Sequence, residues 1–390
     1  MNNMKKTTKI IYFLMILFLL KPTGIDSILP NLNTVMNIFR FIAMILILLI
    51  YIQKIIKLKK VKINTHIFII IIIELLSFIS CLYNNQSPYS TIVFWQGILS
   101  LMLLAEIEEK NMLELVKILI YVLATYIIIN FIYILFNYDY IKISRDFILG
   151  RKNMLILYIF PFISLILLKP NQNNKNKFID ISLIIISLIT ILISESSTSI
   201  VACIMLCIYY IVKNNIIVNK VLSKIKAKQI FVILMAFFIF IIIFSVQQYF
   251  SFFIVDILGK DITFTGRTYV WEKVLNLIQE KPIIGYGWNS SLDEVQGILS
   301  WEEYTTVQHA HNFILNIAYK SGIIASVFYC YFLWKISIKI DNYDEMQEKM
   351  SMKVIYVGFL VLMTFEAYPT NCIALFFICY IMLNYKLINN

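Results

Sequence analysis

The chain alternates long apolar runs with short polar segments over its whole length. Most apolar runs have the length, about 17 to 25 residues, at which an α-helix crosses a bilayer. They are too long and too continuous for barrel strands, so helical spans are predicted. The pattern predicts an all-α polytopic membrane protein with about 12 transmembrane helices, at residues 7–29, 34–54, 65–83, 89–106, 113–136, 152–169, 178–194, 197–213, 229–248, 310–334, 352–367 and 370–387.

The first predicted span is interrupted. Its apolar run, Ile10–Leu20, covers only about 16 Å as a helix. The span therefore either extends to Leu29 or breaks at Pro22-Thr23-Gly24. Lysines before this run resemble the start of a signal peptide, but no small-residue cleavage site follows, and we expect a retained helix.

One long polar segment divides the chain into three parts. Residues 1–248 hold nine predicted spans, residues 249–309 form a large outward loop, and residues 310–390 hold three more spans. Within the loop, apolar positions at helical spacing predict a short amphipathic helix over 266–278. An acidic, aromatic stretch at 293–304 is predicted to form a second short helix.

The composition excludes a soluble globular protein. Hydrophobic residues make up 60% of the chain and charged residues 15%, with a mean hydropathy of +0.80, whereas about half of a soluble domain is apolar. A net charge of +11 would suggest nucleic acid as the partner of a soluble protein. Because the lysines flank apolar spans, we assign them to topology and anionic lipid head groups, and no nucleic-acid partner is expected.

The distribution of basic residues predicts the orientation. Of the 34 lysines and arginines, 23 fall on the side that holds both termini, so the termini are predicted to be cytoplasmic and the loop at 249–309 to face outward. Nine fall on the outer side, and eight of these lie in only two segments, 137–152 and 249–309. Unless a span nearby is misplaced, this concentration predicts a cationic site that binds an anion at the outer face.

The outer loop and the helix after it carry a motif in several parts. The parts are Arg267 with Trp271, Pro282 with Ile284-Gly285-Tyr286-Gly287, His311-Asn312-Phe313-Ile314-Leu315, and Ser321-Gly322-Ile323-Ile324. In order and spacing this motif resembles the signature of the O-antigen ligase and polysaccharide polymerase superfamily, which comprises integral membrane glycosyltransferases of the GT-C type. The number of spans and the single large outer loop also match that superfamily.

The resemblance implies transfer of a sugar from a polyprenyl-pyrophosphate donor to a hydroxyl of an acceptor glycan. It implies that Arg267 binds the leaving pyrophosphate, because a planar guanidinium binds phosphate oxygens in pairs. It also implies that His311 is the base for the acceptor hydroxyl. Without the resemblance, His311 could cap a helix and Arg267 could snorkel or pair with a nearby acid. His309 is expected to be a neighbour of the base and is a candidate for substrate binding.

The second basic segment supplies further candidates. Gly150-Arg151-Lys152-Asn153 is similar to a Gly…Asn helix start that is frequent in the superfamily. Many members carry an arginine in a Ser-rich hairpin, at 194–199 here, where this chain has none. The candidate substitutes for binding pyrophosphate are Arg145, Arg151 and Lys152.

Other residues have two open interpretations. Asn153 and Asn312 either orient the substrate or cap helices. Trp288 either stacks on a sugar or anchors the chain at the membrane interface. Glu366 ends a predicted span beside Pro369, and a charge there is costly in lipid, so it is a candidate neighbour of the site.

No metal ion or cofactor is predicted. The sequence has no DxD pair and no cluster of histidines and acids at the spacing of metal ligands. The six cysteines lie in or beside apolar runs without CxxC spacing, so we interpret them as helix-packing residues.

The predicted function is polymerisation of polyprenyl-pyrophosphate-linked oligosaccharide repeat units into capsular or surface polysaccharide, with the active site on the outer face of a bacterial cytoplasmic membrane. An excess of Ile, Lys and Asn suggests an AT-rich genome and favours polymerase over ligase. The alternatives are a ligase of the same superfamily, which moves a finished glycan to lipid, wall polymer or protein, and a flippase or other transporter. The expected partners are donor and acceptor lipid-linked glycans, membrane lipid, a flippase and a chain-length regulator.

Overall fold

The protein is a helical bundle with very little other regular structure. The computed structural model describes residues 4–58, 64–169, 174–244, 267–292, 309–368 and 371–384. In this part of the chain, the strands β1 (Asp146–Phe147) and β2 (Gly150–Arg151) pair in one antiparallel hairpin. The predicted all-α polytopic architecture is confirmed.

The helices follow the predicted spans along the chain. The first eight are α1 (Lys6–Leu19), α2 (Ile25–Ile28), α3 (Pro30–Leu58), α4 (Thr65–Tyr83), α5 (Tyr89–Ile107), α6 (Met112–Phe136), α7 (Tyr138–Ser144) and α8 (Ile156–Leu168). The others in the described ranges are α9 (Asn174–Ser194), α10 (Ser197–Val212), α11 (Ile216–Ser223), α12 (Ala227–Phe244), α13 (Arg267–Glu280), α14 (Phe313–Asp341), α15 (Met346–Phe365) and α16 (Ile373–Leu383). The predicted amphipathic helix in the outer loop is α13; the second, at 293–304, lies outside the described residues.

Several helices are long and apolar enough to cross a membrane. Within the described ranges there are six such segments: Pro30–Lys57, Thr65–Tyr83, Tyr89–Ile107, Glu109–Phe136, Lys177–Ser194 and Phe313–Asp341. Shorter apolar helices occur in α8, α10, α12 and α16. These lengths and compositions make the chain an integral membrane protein.

Two short helices form the centre of the bundle. Every residue of α8 and α16 is buried, and α8 has only 13 residues. A helix of that length reaches only about 20 Å. It does not need to match the bilayer, because neighbouring helices separate it from lipid. In contrast, α3 exposes the apolar side chains of Ile38, Ile42 and Ile45, as a helix in contact with lipid chains does.

The polar contacts lie at two opposite ends of the helices. At one end, Tyr380 donates a hydrogen bond to Glu106 (2.6 Å) and Lys9 pairs with Glu114 (2.6 Å). The other end contains the segments before α3, after α6, before α8 and between α9 and α10, together with Arg267 at the start of α13. The described parts of the two basic segments, 137–152 and 249–309, therefore both have residues at this second end, which we call the site end.

The first helix breaks where the sequence offered a choice. Helix α1 ends at Leu19, so the single span predicted at 7–29 is wrong and the alternative break is correct. The Lys21 ammonium, which has no place in lipid, donates hydrogen bonds to Asp26 (2.6 Å) and to Asn33. The Tyr158 hydroxyl donates to the Lys21 carbonyl (3.2 Å), one of the groups that the helix break leaves free.

Helix α14 also breaks, at Gly322, where φ is 87°. A turn formed by residues 282–287 pairs with this break. The Ile323 amide donates to the Pro282 carbonyl (2.8 Å). The Tyr286 amide donates to the Tyr319 carbonyl (2.9 Å), and the Gly287 amide donates to the Lys320 carbonyl (3.0 Å). Irregular backbone at membrane depth needs such partners within the protein. Gly322 therefore separates two helical segments of α14.

We predict that Gly322→Ala destabilises the protein strongly. The added methyl group would lie 1.8 Å from the Ile283 carbonyl oxygen, and alanine is strained at a φ of 87°. Thermal unfolding of the purified protein in detergent should show a large drop in Tm. Ile324→Ala, at a lipid-exposed position of the same helix, is the control and should change Tm little. Equal Tm changes would show that the break at Gly322 is dispensable.

Candidate active site around Glu366

The Glu366 carboxylate is the centre of a buried polar cluster at the site end. It accepts hydrogen bonds from His311 Nδ1 (2.8 Å) and from Asn153 Nδ2 (2.9 Å). A guanidinium nitrogen of Arg267 lies 3.3 Å from it in an ion pair. Glu366 is only 4% exposed, so its charge depends on these three donors.

Four helix ends bring these side chains together. Glu366 directly follows α15, where the backbone leaves the helix (φ −146°, ψ 150°). Arg267 is the first residue of α13, and it also donates to the Phe365 carbonyl. His311 lies in the turn before α14, and Asn153 lies in the turn before α8. Because helix ends leave backbone groups and side chains unconstrained by the helix, they can converge on one carboxylate.

His311 is held in a strained turn, but it does not cap the helix. Its φ is 47°, in the left-handed region. The cap is Asn312, whose Oδ1 accepts from the Leu315 amide (2.8 Å) while its Nδ2 donates to the Thr364 carbonyl (2.8 Å). The Trp271 indole nitrogen donates to the Ala310 carbonyl (2.9 Å), which fixes the turn from the α13 side. The His311 ring is therefore available for chemistry.

The environment of Glu366 keeps this residue ionised. Burial by itself would raise the pKa of Glu366. The hydrogen bond from His311 and the positive charge of Arg267 outweigh burial, so the pKa of Glu366 lies well below its usual value. An ionised carboxylate at Nδ1 favours the His311 tautomer that carries its proton on Nδ1. The other ring nitrogen, Nε2, is then free to accept a proton.

His309 differs from His311 in both contacts and charge. The two rings contact each other edge to face, with centroids 4.4 Å apart. Burial, with smaller effects of neighbouring groups, lowers the pKa of His309 to about 4. A neutral imidazole with so low a pKa is a poor base at neutral pH. In the structure His309 lies against the His311 ring.

Two of the other basic candidates, Arg145 and Arg151, pair with acids outside this cluster. Arg145 pairs with Glu195 (2.8 Å), the left-handed residue of the hairpin between α9 and α10. Arg151 is 87% exposed and its nearest acid, Asp146, is 3.8 Å away. Lys152 lies in the turn between β2 and α8. Arg145 and Arg151 thus pair with acids other than Glu366.

The structure shows the protein contacts of the residues that had two interpretations. Asn312 caps α14 and ties it to α15, so it holds the backbone, and Asn153 contacts the acid of the cluster. Trp288 is buried against Phe94 and Trp95, which corrects the suggestion that it stacks on a sugar. Residues 293–308, with the acidic aromatic stretch, lie outside the described part of the chain.

The importance of Glu366 was only partly visible in sequence. In the sequence, Glu366 is an acidic residue at the end of a predicted span, and this position made it a candidate neighbour of the site. Its three partners lie 55, 99 and 213 residues away along the chain. No local spacing connects such positions, so only the packed helices show that one carboxylate binds all three.

His309, His311 and Glu366 also have the spacing of metal ligands. One ligand atom from each lies within 4.8 Å of the others. No such cluster is visible in the sequence, because Glu366 lies 55 residues after His311. The Glu366 carboxylate, however, already has three hydrogen-bonding partners, and the positive charge of Arg267 beside it opposes a bound cation. This arrangement favours a hydrogen-bonded acid–base group.

Fold and site together define an integral membrane protein with a His–Glu pair and an arginine gathered at one end of a helical bundle. Residues 182–330, which include Arg267, His311 and Gly322, match the family model described as O-Antigen ligase. This match and the two relatives below confirm the resemblance to the O-antigen ligase superfamily. Glu366 lies outside the matched segment.

Two relatives match shorter segments. The exopolysaccharide production protein ExoQ of Rhizobium meliloti is 30% identical over 77 residues, which are 18% of this chain and 17% of that protein. A proposed polysaccharide ligase of Rickettsia conorii is 28% identical over 102 residues, which are 25% of each protein. The aligned segments therefore span a quarter or less of each relative.

We predict that His309 makes the protein less stable in mild acid. The pKa of a histidine is about 6.5 in an unfolded chain, and burial lowers that of His309 to about 4 in the folded protein. Between these values the unfolded state binds more protons, so the free energy of unfolding falls as pH falls from about 6.5 to 4. In thermal unfolding at pH 7 and pH 5, His309→Phe should show a smaller loss of Tm than the wild type. Equal losses would contradict this role of His309.

Proposed function

We propose that the protein is a glycosyltransferase that extends a surface polysaccharide from lipid-linked oligosaccharide units. The observation that carries the proposal is the His311–Glu366 pair with Arg267 beside the same carboxylate. The pair places an oriented base next to a phosphate-binding group, and transfer from a sugar pyrophosphate needs both. The superfamily match supports a glycosyl-transferring enzyme with a lipid-linked glycan substrate.

In the proposed reaction, His311 Nε2 removes the proton of an acceptor hydroxyl. The acceptor oxygen then forms a bond to the anomeric carbon of the donor sugar, and the bond from that carbon to the pyrophosphate oxygen breaks. The bonding electron pair leaves with the polyprenyl pyrophosphate. Glu366 holds the ring by its Nδ1 and stabilises the imidazolium that forms, as an acid does for the histidine base of other enzymes.

Arg267 is proposed to neutralise the leaving pyrophosphate. A guanidinium has five N–H donors. One terminal nitrogen of Arg267 donates to the Phe365 carbonyl and the other to Glu366, which fixes the plane of the group. The remaining N–H groups are free to bind phosphate oxygens, and the side chain keeps 19% of its surface exposed. A rigidly held cation stabilises developing charge without having to reorganise.

Arg145 is the best candidate for a second phosphate ligand. The superfamily often has an arginine in the Ser-rich hairpin at 194–199, where this chain has none. The ion pair with Glu195 brings Arg145 from the other basic segment to this hairpin. We therefore propose that Arg145 substitutes for the missing arginine. Arg151 and Lys152 lie further along the same segment and remain candidate contacts to the donor.

The site end is proposed to face outward and the termini to lie in the cytoplasm. The bias of 23 among 34 basic residues toward the opposite side supports this orientation. A lipid-linked glycan presents its pyrophosphate at the level of the head groups, where the helix ends around Glu366 would meet it. The membrane is proposed to be the cytoplasmic membrane of a bacterium.

The amino-acid composition is the reason why we propose a polymerase and not a ligase. The Ile, Lys and Asn excess suggests an AT-rich genome, and many such genomes belong to bacteria without a lipopolysaccharide core as acceptor. One relative is named for exopolysaccharide production and the other as a proposed polysaccharide ligase, so both activities remain candidates. A flippase and a chain-length regulator are proposed as partners of the polymerase.

A transporter is the competing proposal from another class. Transporters place substrate at broken helices near the middle of the membrane. Helix α14 does break, but the turn at 282–287 fills the break and Trp288 accepts a hydrogen bond from Lys320 (2.7 Å). The polar groups at this break are thus bound within the protein. This internal pairing favours an enzyme with its site at the helix ends.

We predict that His311→Ala and Glu366→Gln each reduce glycan transfer by about 100- to 10,000-fold, the range for removal of a general base. Expression in a strain that lacks the gene, followed by gel analysis of the polysaccharide, measures the effect. Lys273→Ala, an exposed cation on the same helix as Arg267, is the control and should leave the ladder intact. Full-length ladders from both site variants would refute the proposed roles.

The same gels separate the two activities. Loss of a polymerase leaves lipid-linked material of a single repeat. Loss of a ligase leaves long lipid-linked chains that are not attached to an acceptor. Accumulation of long unattached chains would replace the polymerase proposal with the ligase.

A further inference from the structure

Arg40 is a charged residue inside a membrane-spanning segment. It has no hydrogen-bonding or ion-pair partner among the described residues. It lies in α3, within the apolar span Pro30–Lys57. Its Nε is shielded from solvent without a hydrogen-bond partner, and Arg40 forms no hydrogen bond or ion pair with any residue of the described ranges. A guanidinium does not lose its proton in proteins, so it cannot escape this cost by becoming neutral. Intramembrane charges of this kind mark functional sites.

The bundle leaves room for this guanidinium between α3 and α5. Gly97 of α5 faces it, and a methyl group at Gly97 would lie 3.3 Å from a terminal nitrogen of Arg40 and 2.7 Å from Ile373. Arg40 therefore reaches the start of α16. The segment that leads to α16 begins at Glu366, so the free cation lies beside the chain that leaves the proposed active site.

The groups around Arg40 do not neutralise it. Among the described residues, the ionisable side chains close enough to influence Arg40 are those of Tyr158, Tyr89 and Asp26. Asp26 is the one carboxylate among them, and it already pairs with Lys21 at 2.6 Å. Two cations thus share one acid. The net charge of Lys21, Arg40 and Asp26 is therefore +1, which favours binding of an anion beside Arg40.

A polar wall connects this cation to the helix breaks at the site end. The Tyr158 hydroxyl and the Asn371 amide lie 3.1 Å apart, and Asn371 also donates to the Lys21 carbonyl. The Asn371 amide oxygen is buried without a partner. A hydroxyl group of a bound substrate could donate a hydrogen bond to this oxygen. A phosphate group of the same substrate could then accept hydrogen bonds from Arg40.

Helix α3 is also open to the lipid. Ile38, Phe41 and Ile42, which flank Arg40 in sequence, have exposed apolar side chains. A prenyl chain has the apolar surface that matches these residues. A molecule with a lipid tail and a phosphate head could therefore lie along α3 with its tail in the membrane and its phosphate at Arg40.

We infer that Arg40, with Asn371 and Tyr158 beside it, binds a phosphate group of the polyprenyl-linked substrate. The inference rests on the proposed function, since it assigns a residue of substrate binding to that activity. Arg40 holds the lipid phosphate from the α3 side, while Arg267 meets the developing charge at Glu366. A phospholipid head group has the same chemistry and is the competing source of the phosphate.

The test is lipid binding to the purified full-length protein, measured by native mass spectrometry. The probes are a polyprenyl monophosphate and phosphatidylglycerol. For Arg40→Gln we expect the affinity for polyprenyl monophosphate to fall by about tenfold or more, the effect of losing a charge-assisted hydrogen bond. Arg40→Lys should retain part of the affinity. Lys57→Gln, an exposed cation at the other end of α3, is the matched control and should bind as the wild type does.

Thermal unfolding without added lipid separates binding from a structural role. Arg40→Gln removes an unpaired charge from the bundle, so its Tm should equal or exceed that of the wild type. A lower Tm would mean that Arg40 has a structural role and would overturn the inference. Unchanged affinity for polyprenyl monophosphate, or a loss confined to phosphatidylglycerol, would also overturn it.

Failure of this inference can be told from failure of the proposed function. The binding assay needs no transfer reaction, and His311→Ala should bind polyprenyl monophosphate normally. If His311→Ala and Glu366→Gln abolish the polysaccharide while Arg40→Gln binds normally, only the assignment of Arg40 fails. If both site variants still make polysaccharide, the proposed function fails whatever Arg40 binds.

Discussion

A single buried carboxylate holds together the end of the molecule where chemistry is expected. Glu366 is bound by groups from the starts of α8 and α13 and from the turn before α14, so three separate parts of the chain meet at the end of α15. Leaving such a carboxylate unpaired in a buried environment costs several kcal/mol. The donors are therefore constrained to stay, and the same constraint orients the His311 ring. The contact between Glu366 and His311 Nδ1 therefore both stabilises the buried carboxylate and selects the His311 tautomer.

The helix breaks make this arrangement compatible with a membrane. Breaks at Leu20–Gly24 and at Gly322 expose backbone groups that lipid cannot satisfy. The protein satisfies them internally: Tyr158 binds the first break, and the turn at 282–287 binds the second. Pro282 and the glycines around it are thus required by hydrogen bonding in the bundle. This gives one part of the superfamily motif a structural role, separate from the chemistry at Arg267 and His311.

The cations at the site end differ in how the protein binds them. Several cations at the site end are paired, as in Lys21 with Asp26 and Arg145 with Glu195, and Arg267 is held by a backbone carbonyl and an acid. Arg40 is shielded at Nε and has no such partner among the described residues, which is why it suggests a ligand. A site for a lipid-linked pyrophosphate needs cations at different depths, because the phosphates lie between a sugar in water and a prenyl tail in lipid.

The sequence by itself determined the class of fold, since apolar runs of membrane length can only be helices, and the motif around Arg267 and His311 indicated the superfamily. Tertiary structure decided which residues form the site. It joined Glu366 to three residues far away in sequence, separated Arg151 from the cluster, and made Asn312 a cap. Periodicity records only contacts within a helix, whereas the Glu366 cluster depends on which helix ends meet. Those meetings are set by packing and by the breaks, which no local pattern specifies.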